Sequence, residues 1–198
     1  QRDELIRKLR ESGDYDRNKD VEWSPVPLRV GVVTSGSSAA WADFTHEIER
    51  SEIGFVLRLA DVTVQGDSAV SQVSRAIEAL SRRSDIDVIA VMRGGGSRAE
   101  LATFDAEAIA LAIARSPIPV VTGIGHEIDT SVADEVAHRR YKTPTACAAG
   151  LVERVQHFVD VTEEAWRDIA RLSTDHLNES ATALTDITHL IAGHTRNA

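Results

Sequence analysis

The sequence VIAVMRGGGS, residues 88–97, joins a β-branched apolar run directly to a glycine-rich turn. The same arrangement recurs in PVVTGIGHEID, residues 119–129, where a second apolar run leads into two closely spaced glycines. Each run has the length of a buried strand, and each turn lies where that strand would end. In an open parallel sheet the carboxyl ends of the strands form the edge at which ligands bind. We therefore expect both turns to face one crevice.

Apolar runs and helical spacings alternate along most of the chain. Strands are predicted at Leu28–Thr34, Gly54–Val62, Val88–Met92 and Pro119–Thr122. Helices are predicted at residues 3–11, at Ala39–Ser51, after a capped turn at residues 65–68, at Asp105–Ala114 and from near Thr130. Strands separated by helices require right-handed crossovers. The pattern predicts an α/β fold with a doubly wound, mainly parallel sheet.

The chain divides into three segments that differ in their predicted structure. Residues 1–27 are predicted to be a helix and a connector that lead in from an upstream domain, and residues 28–144 an α/β catalytic domain. Residues 145–198 are predicted to begin a long helical, coiled-coil region, because apolar residues follow 3-4 spacing and then shift in phase. An ordinary long helix packed on the domain is the alternative. In either case the apolar stripe requires a partner.

Composition limits the classes of function. The chain has 198 residues, 42% hydrophobic and 27% charged, with a net charge of −9. This charge argues against a broad basic surface and mildly against a nucleic-acid partner. Cys147 is the single cysteine, which excludes disulfide frameworks. No apolar stretch approaches the roughly 20 residues of a membrane helix, and the first residues lack the apolar core of a signal peptide. A cytoplasmic protein without membrane contact is expected.

The two turns carry groups suited to phosphate chemistry. Arg93 has a planar guanidinium that can grip a phosphate. Gly94, Gly95 and Gly96 allow close backbone approach and can direct N–H groups at an anion. A tight strand–helix turn without a ligand would explain the same glycines. Ser97 is a weaker candidate, for which a turn role is the simpler interpretation.

The second turn carries a group suited to proton transfer. His126 is the candidate whose ordinary pKa, about 6.5, permits acid or base work near neutrality. It lies between Gly125 and Asp129, so Asp129 is predicted either to orient His126 or to cap the following helix. Both roles are compatible. A histidine that merely satisfies a helix start is the structural alternative for His126.

Taken together, these segments resemble a known family. RGGGS, IPVVTGIGHEID, VAD at residues 132–134 and TPTA at residues 143–146 occur in that order, with VVTS at 32–35 and VQGD at 64–67 upstream. This ordered set resembles the catalytic core of the exodeoxyribonuclease VII large subunit, from roughly Glu4 to Leu151. In that family an OB-fold domain precedes the core and a longer coiled-coil region follows it. The sequence therefore resembles an excised catalytic fragment.

The resemblance implies hydrolysis of single-stranded DNA into short oligonucleotides from either end, within a complex of one large subunit and several small subunits. Docking of the small subunit on the long C-terminal helix is implied in the same way. The family's candidate catalytic residues correspond to Asp43, Arg93, His126 and Asp129. Asp43 depends on the resemblance alone, since its position on a predicted helix otherwise indicates a solvated carboxylate. The chain departs from the family's usual residues at Ala99, His138, Cys147 and Gly150.

Other polar residues are weaker candidates. Turn or capping roles are the simpler interpretation of Gln65 and Asp67. Glu127 and Asp134 could form a metal site with Asp43, but a two-metal nuclease site requires several clustered carboxylates. The resemblance implies activity without an obligatory divalent metal, so we expect a histidine-centred site at which Mg²⁺ is at most stimulatory.

Two other functions are compatible with the same residues. A phosphate- or nucleotide-binding domain acting on a small phosphorylated ligand would use the same two turns. A non-catalytic assembly scaffold would use the long helix. The first predicts tight binding of nucleotides, and the second predicts a stable oligomer that is indifferent to changes at the turns.

Overall fold

A computed structural model describes residues 2–94, 102–125 and 130–196, with side chains described up to residue 189. The chain divides into two units, Gln1–Val155 and Gln156–Ala198. The first unit contains the sheet. The second is formed by the continuation of the C-terminal helix.

Five parallel strands form the sheet of the first unit. They are β1 (Arg29–Thr34), β2 (Val56–Asp61), β3 (Val88–Met92), β4 (Val120–Gly123) and β5 (Arg139–Arg140). Their spatial order is β2-β1-β3-β4-β5, and each neighbouring pair is parallel. The predicted parallel α/β sheet is confirmed. The order reverses between β1 and β3, which makes that position the switch point of the sheet.

The helices of the first unit agree with most of the predicted segments. They are α1 (Arg2–Glu11), α2 (Ala39–Arg50), α3 (Ala69–Ser81), α4 (Glu107–Ala114), α5 (Val132–Val136) and the start of α6 (Pro144–Arg196). The predicted start of α4 at Asp105 is wrong, because Ala102–Asp105 forms a separate 3₁₀ helix. Ser68 precedes α3, but its side chain makes no capping hydrogen bond.

Two apolar layers cover the two faces of the sheet. One packs α1, α3, α4 and α5 against side chains that include Val33, Ile89 and Val91. The other packs α2 and the first turns of α6 against Val32 and Ala90. Adjacent strand residues point to opposite faces, so continuously apolar strands fit between two helical layers. Helices on both faces make the sheet doubly wound, as the sequence predicts.

A buried asparagine fastens the N-terminal connector to the sheet. The side-chain amide of Asn18 donates to the carbonyl oxygens of Ser116 and Ile118, both at 3.1 Å. Its carbonyl accepts from the backbone N–H of Val120 at 2.9 Å. Asn18 is fully buried. One side chain therefore satisfies three backbone groups where the chain enters β4.

The second unit exposes a series of large apolar side chains. Those described include Val161, Trp166, Ile169, Leu172, Leu177, Leu184 and Ile187. The predicted long helix is confirmed, whereas its coiled-coil pairing stays a prediction. Among the residues that the structure describes, no helix is long and apolar enough to span a bilayer.

Asn18→Ala is expected to lower the free energy of unfolding by about 2–3 kcal/mol, because it leaves buried backbone groups without partners. Chemical denaturation monitored by circular dichroism measures the loss. Asn178→Ala, on the exposed part of α6, is the matched control and should cost nothing. Equal stability of the two variants would show that the Asn18 bonds do not hold the connector.

Candidate functional site

The carboxyl ends of three strands bring the predicted turns together. Met92 pairs with Gly123 across β3 and β4, and the backbone N–H of Arg93 donates to the Gly123 carbonyl oxygen at 3.3 Å. The RGGGS and GIGHEID turns therefore begin side by side. β1 adjoins β3 on its other side, so the turn after Thr34 opens at the same edge. Both turns therefore start at the same edge of the sheet, and their facing one crevice stays a prediction.

A cleft of about 360 Å³ lies at the switch point between β1 and β3. The described residues of its lining contribute hydroxyl, amide and backbone groups; they are Ser35, Ser37, Ser38, Ala39, Thr63, Val64, Gln65 and Gly94. Three loops contribute, namely those after β1, β2 and β3. The described part of the lining is uncharged and polar, and it occupies the position at which open α/β sheets bind ligands.

The loop between β1 and α2 is held by its own hydrogen bonds. Ser38 caps α2, its hydroxyl accepting from the backbone N–H of Trp41 at 3.2 Å and donating to the Ser35 carbonyl at 2.6 Å. The backbone N–H of Gly36 donates to the Asp61 carboxylate at 2.8 Å. These bonds fix the loop while the Ser35 and Ser37 hydroxyls remain on the cleft. The loop is therefore preorganised.

Arg93 and Gly94 connect the cleft to the end of β3. Arg93 is 1% exposed, so its guanidinium lies in a water-poor environment in which electrostatic interactions are weakly screened. A methyl group added to Gly94 would lie 3.7 Å from the backbone nitrogen of Ala40, an ordinary contact. Packing alone therefore does not require glycine at position 94. Its small size leaves the cleft open beside the first turn of α2.

Backbone geometry and close packing explain why glycine occupies positions 123 and 125. A methyl group on Gly123 would come within 3.1 Å of the Thr143 carbonyl oxygen and 3.2 Å of the Cys147 Cβ, so glycine allows α6 to begin close against β4. Gly125 has φ +79°, a left-handed conformation that favours glycine. Gly125 therefore turns the chain after β4. Its predicted contact with phosphate stays a prediction.

Asp134 forms a capping box with Ser131 at the start of α5. Its carboxylate accepts from the Ser131 backbone N–H at 3.0 Å, from the Ser131 hydroxyl at 2.7 Å and from Thr122 at 2.6 Å. Asp105 accepts from the backbone N–H of Val132 at 2.8 Å. This use of the Asp134 oxygens favours capping over a metal role. Ser131 is the N-cap of α5, and the predicted roles of Asp129 stay predictions.

The remaining described candidates lie at the surface. Asp43 is exposed in the second turn of α2 and outside the lining of the cleft. Gln65 lines the cleft, whereas Asp67 is exposed in the turn before α3. Among the described residues, no group of three or more His, Cys, Asp or Glu side chains is placed to hold a metal ion.

Several predicted site residues lie outside the described residues. They are Gly95, Gly96, Ser97, His126, Glu127 and Asp129. Their roles stay predictions.

The hydroxyl side chains that line the cleft were not predicted as site residues from the sequence. They are Ser35, Ser37, Ser38 and Thr63. The available signal was the segment TSGSS, which joins a predicted strand to a predicted helix in the same way as the two glycine turns.

Comparison with known proteins identifies the family. The family model described as exonuclease VII, large subunit, matches residues 15–198. The chain belongs to the exonuclease VII large subunit family. The exodeoxyribonuclease 7 large subunit of Carboxydothermus hydrogenoformans is 44% identical over 154 residues, covering 78% of this chain and 32% of that protein. Those of Moorella thermoacetica and Halothermothrix orenii are 37% and 36% identical, covering 90% and 85% of this chain and 47% and 42% of the relatives. The chain thus spans about a third to a half of these relatives' length.

Packing explains the residues at three of the four positions where the resemblance implies a departure from the family. Burial raises the pKa of the Cys147 thiol, so this side chain is a neutral packing group. Gly150 makes room for the Tyr141 ring, which a methyl group would overlap. His138 donates from Nε2 to the Val21 carbonyl at 3.1 Å and packs edge-on against Trp23, and burial lowers its pKa. Ala99 lies outside the described residues.

Gly125→Ala is expected to destabilise the fold by about 1–2 kcal/mol, because alanine is strained at positive φ. Gly125→Asn should lose less, since asparagine tolerates this region. Gly54→Ala is the control, since Gly54 does not have a left-handed φ and has open space around its Cα. Thermal denaturation compares the three variants. A Gly125→Ala variant as stable as Gly54→Ala would contradict the backbone role.

Proposed function

We propose that this chain is the catalytic core of an exonuclease VII large subunit, which hydrolyses phosphodiester bonds of single-stranded DNA to short oligonucleotides from either end. Membership of the family supports the reaction class. The switch-point cleft is the observation that supports the placement of the site. A cytoplasmic location is part of the proposal, because the proposed substrate is cellular DNA.

The cleft has the chemistry of a phosphate subsite. The Ser35 and Ser37 hydroxyls can donate to the non-bridging oxygens of a phosphate. The 12-residue helix α2 begins at Ala39, which lines the same cleft, so the positive end of its dipole lies there. Among the described residues of the lining there is no carboxylate that would repel an anion.

Arg93 is assigned the stabilisation of the negative charge that develops in the transition state. A guanidinium at the carboxyl end of β3 and shielded from water stabilises an adjacent anion more strongly than an exposed one would. Its planar fork matches two phosphate oxygens. In this mechanism Arg93 holds the scissile phosphate as negative charge builds up on the oxygens.

His126 is assigned the proton transfer. It follows Gly125 by one residue, and Gly125 ends a turn that starts beside Arg93. Proton transfer to the leaving oxygen or from the attacking water requires a group that titrates near neutrality. Asp129 is assigned the orientation of His126, since α5 has its own cap at Ser131. Asp43 remains the fourth member of the proposed set through its family position.

The proposal requires no obligatory divalent cation, and Mg²⁺ is at most stimulatory. The small subunit is proposed to dock on α6, whose exposed apolar side chains in the second unit need a covering partner. The isolated chain is therefore expected to bind DNA weakly and to show little activity.

His126→Ala and Arg93→Ala are each expected to reduce cleavage by about 10²–10⁴-fold, the usual contribution of a positioned acid–base or charge-stabilising group. The measurement is degradation of end-labelled single-stranded DNA by the complete large subunit assembled with its small subunit. Parallel reactions with and without EDTA test the metal requirement.

His46→Ala is the matched control, because His46 is exposed on α2 and makes no hydrogen bond among the described residues. It should leave the rate unchanged. Full activity in both His126→Ala and Arg93→Ala would overturn the site assignment. A wild-type complex that cleaves no single-stranded DNA would overturn the function itself.

A further inference from the structure

The last strand of the sheet is basic. β5 consists of Arg139 and Arg140, both exposed, and it forms the edge beside β4. The sequence analysis did not predict this strand, because two arginines do not resemble an apolar run. Thr122 pairs with Arg140, so the second arginine lies level with the carboxyl end of β4.

A second cleft opens at this edge. It has a volume of about 380 Å³ and is lined by Lys19, Asp134, Glu135, Ala137, His138, Arg139 and Arg140. The two carboxylates in this lining have hydrogen-bond or ion-pair partners of their own. Asp134 is held by Ser131 and Thr122, and Glu135 accepts from the Tyr15 hydroxyl and pairs with Arg2. Lys19 pairs with Asp16.

The two β5 arginines differ from most arginines of this unit. The paired ones include Arg7, Arg29, Arg50, Arg58, Arg82, Arg83 and Arg115, each with a carboxylate. Within the described part of the chain, neither Arg139 nor Arg140 has a carboxylate oxygen within 4.0 Å. Arg139 lies over the Tyr141 ring at 5.7 Å, and Arg140 donates to the Thr130 hydroxyl. Both partners are neutral, so neither arginine forms an ion pair within the described part of the chain.

The edge strand β5 lies close to the strands that carry the proposed site. Neighbouring strands are about 4.8 Å apart, so β5 lies about 5 Å from the strand that leads into the His126 turn and about 14 Å from β1. Adjacent residues of a strand point to opposite sides, so Arg139 and Arg140 present charge on both sides of the sheet edge. Arg140 lies level with Thr122 near the carboxyl end of β4, and Arg139 lies one residue before it on the edge strand.

We propose that Arg139 and Arg140 form a binding subsite for backbone phosphates of single-stranded DNA adjacent to the reacting phosphate. The inference rests on the proposed function and identifies the residues that hold the substrate beyond the point of cleavage. Charge complementarity supports this assignment: in a chain of net charge −9, two neighbouring arginines without a carboxylate partner among the described residues attract a polyanion locally. Phosphate contacts of this kind bind without regard to base sequence.

The test measures how binding depends on salt. The complete large subunit assembled with its small subunit is titrated with a fluorescent oligothymidylate carrying phosphorothioate linkages, which keep the charge and resist hydrolysis. For single strands the slope of log K against log salt concentration is about −0.7 per phosphate contact. Arg139→Gln/Arg140→Gln should therefore make the slope shallower by about 1.4, with weaker binding at every salt concentration.

Two control variants separate charge from fold. Arg139→Lys/Arg140→Lys keeps both charges and should keep the wild-type slope. Arg75→Gln removes an exposed arginine of α3 that has no carboxylate partner among the described residues, and its slope should also be unchanged. If the double glutamine variant melts at a lower temperature than wild type, Arg139→Gln and Arg140→Gln are measured singly. Each should then make the slope shallower by about 0.7.

The outcomes separate the two proposals. A wild-type slope in the glutamine variants, with normal wild-type cleavage, overturns the β5 subsite and leaves the proposed function intact. An equal loss of slope in Arg75→Gln also overturns it, because the effect would then be one of general charge. A wild-type complex that neither binds nor cleaves single-stranded DNA overturns the proposed function, and the subsite with it.

Discussion

The backbone pairing of β3 with β1 on one side and β4 on the other is the constraint on which the rest of the structure depends. All five side chains of β3, Val88–Met92, are buried, so the strand is tolerated only between two strands and two helical layers. Parallel pairing then forces the chain to leave β1, β3 and β4 at the same edge. The serine turn, Arg93 and the turn that contains Gly125 converge for this reason.

The polar groups at this edge divide into those that hold the scaffold and those that remain available. Asp61, Asp105 and Asp134 accept backbone hydrogen bonds and so position the loops. The hydroxyls of Ser35 and Ser37 stay on the cleft. These carboxylates therefore position the loops around the site, while the described residues of the cleft lining carry no negative charge. This division suits a phosphate ligand, which carboxylates in the cleft would repel.

Much of the fold could be predicted from local pattern, because β-branched runs and helical spacings report which faces are buried. The four longer strands and most helices were found within a few residues of their bounds. β5 was missed because its two arginines carry no apolar signal, and it forms only by pairing with β4. The start of α4 was wrong because Ala102–Asp105 forms a 3₁₀ helix whose last residue bonds to the N-terminus of α5, a contact 27 residues away.

For the site, the sequence by itself determined which chemical groups follow which strands: Arg93 after β3, Gly125 and His126 after β4, and serines after β1. This information is local, because each turn directly follows its strand in the sequence. Tertiary contacts determine which of these turns are neighbours, that Asp134 is a capping residue, and that Arg139 and Arg140 have no carboxylate partner among the described residues. The physical reason is that strand order and the pairing of charges depend on residues far apart in the chain, whose approach no local pattern records.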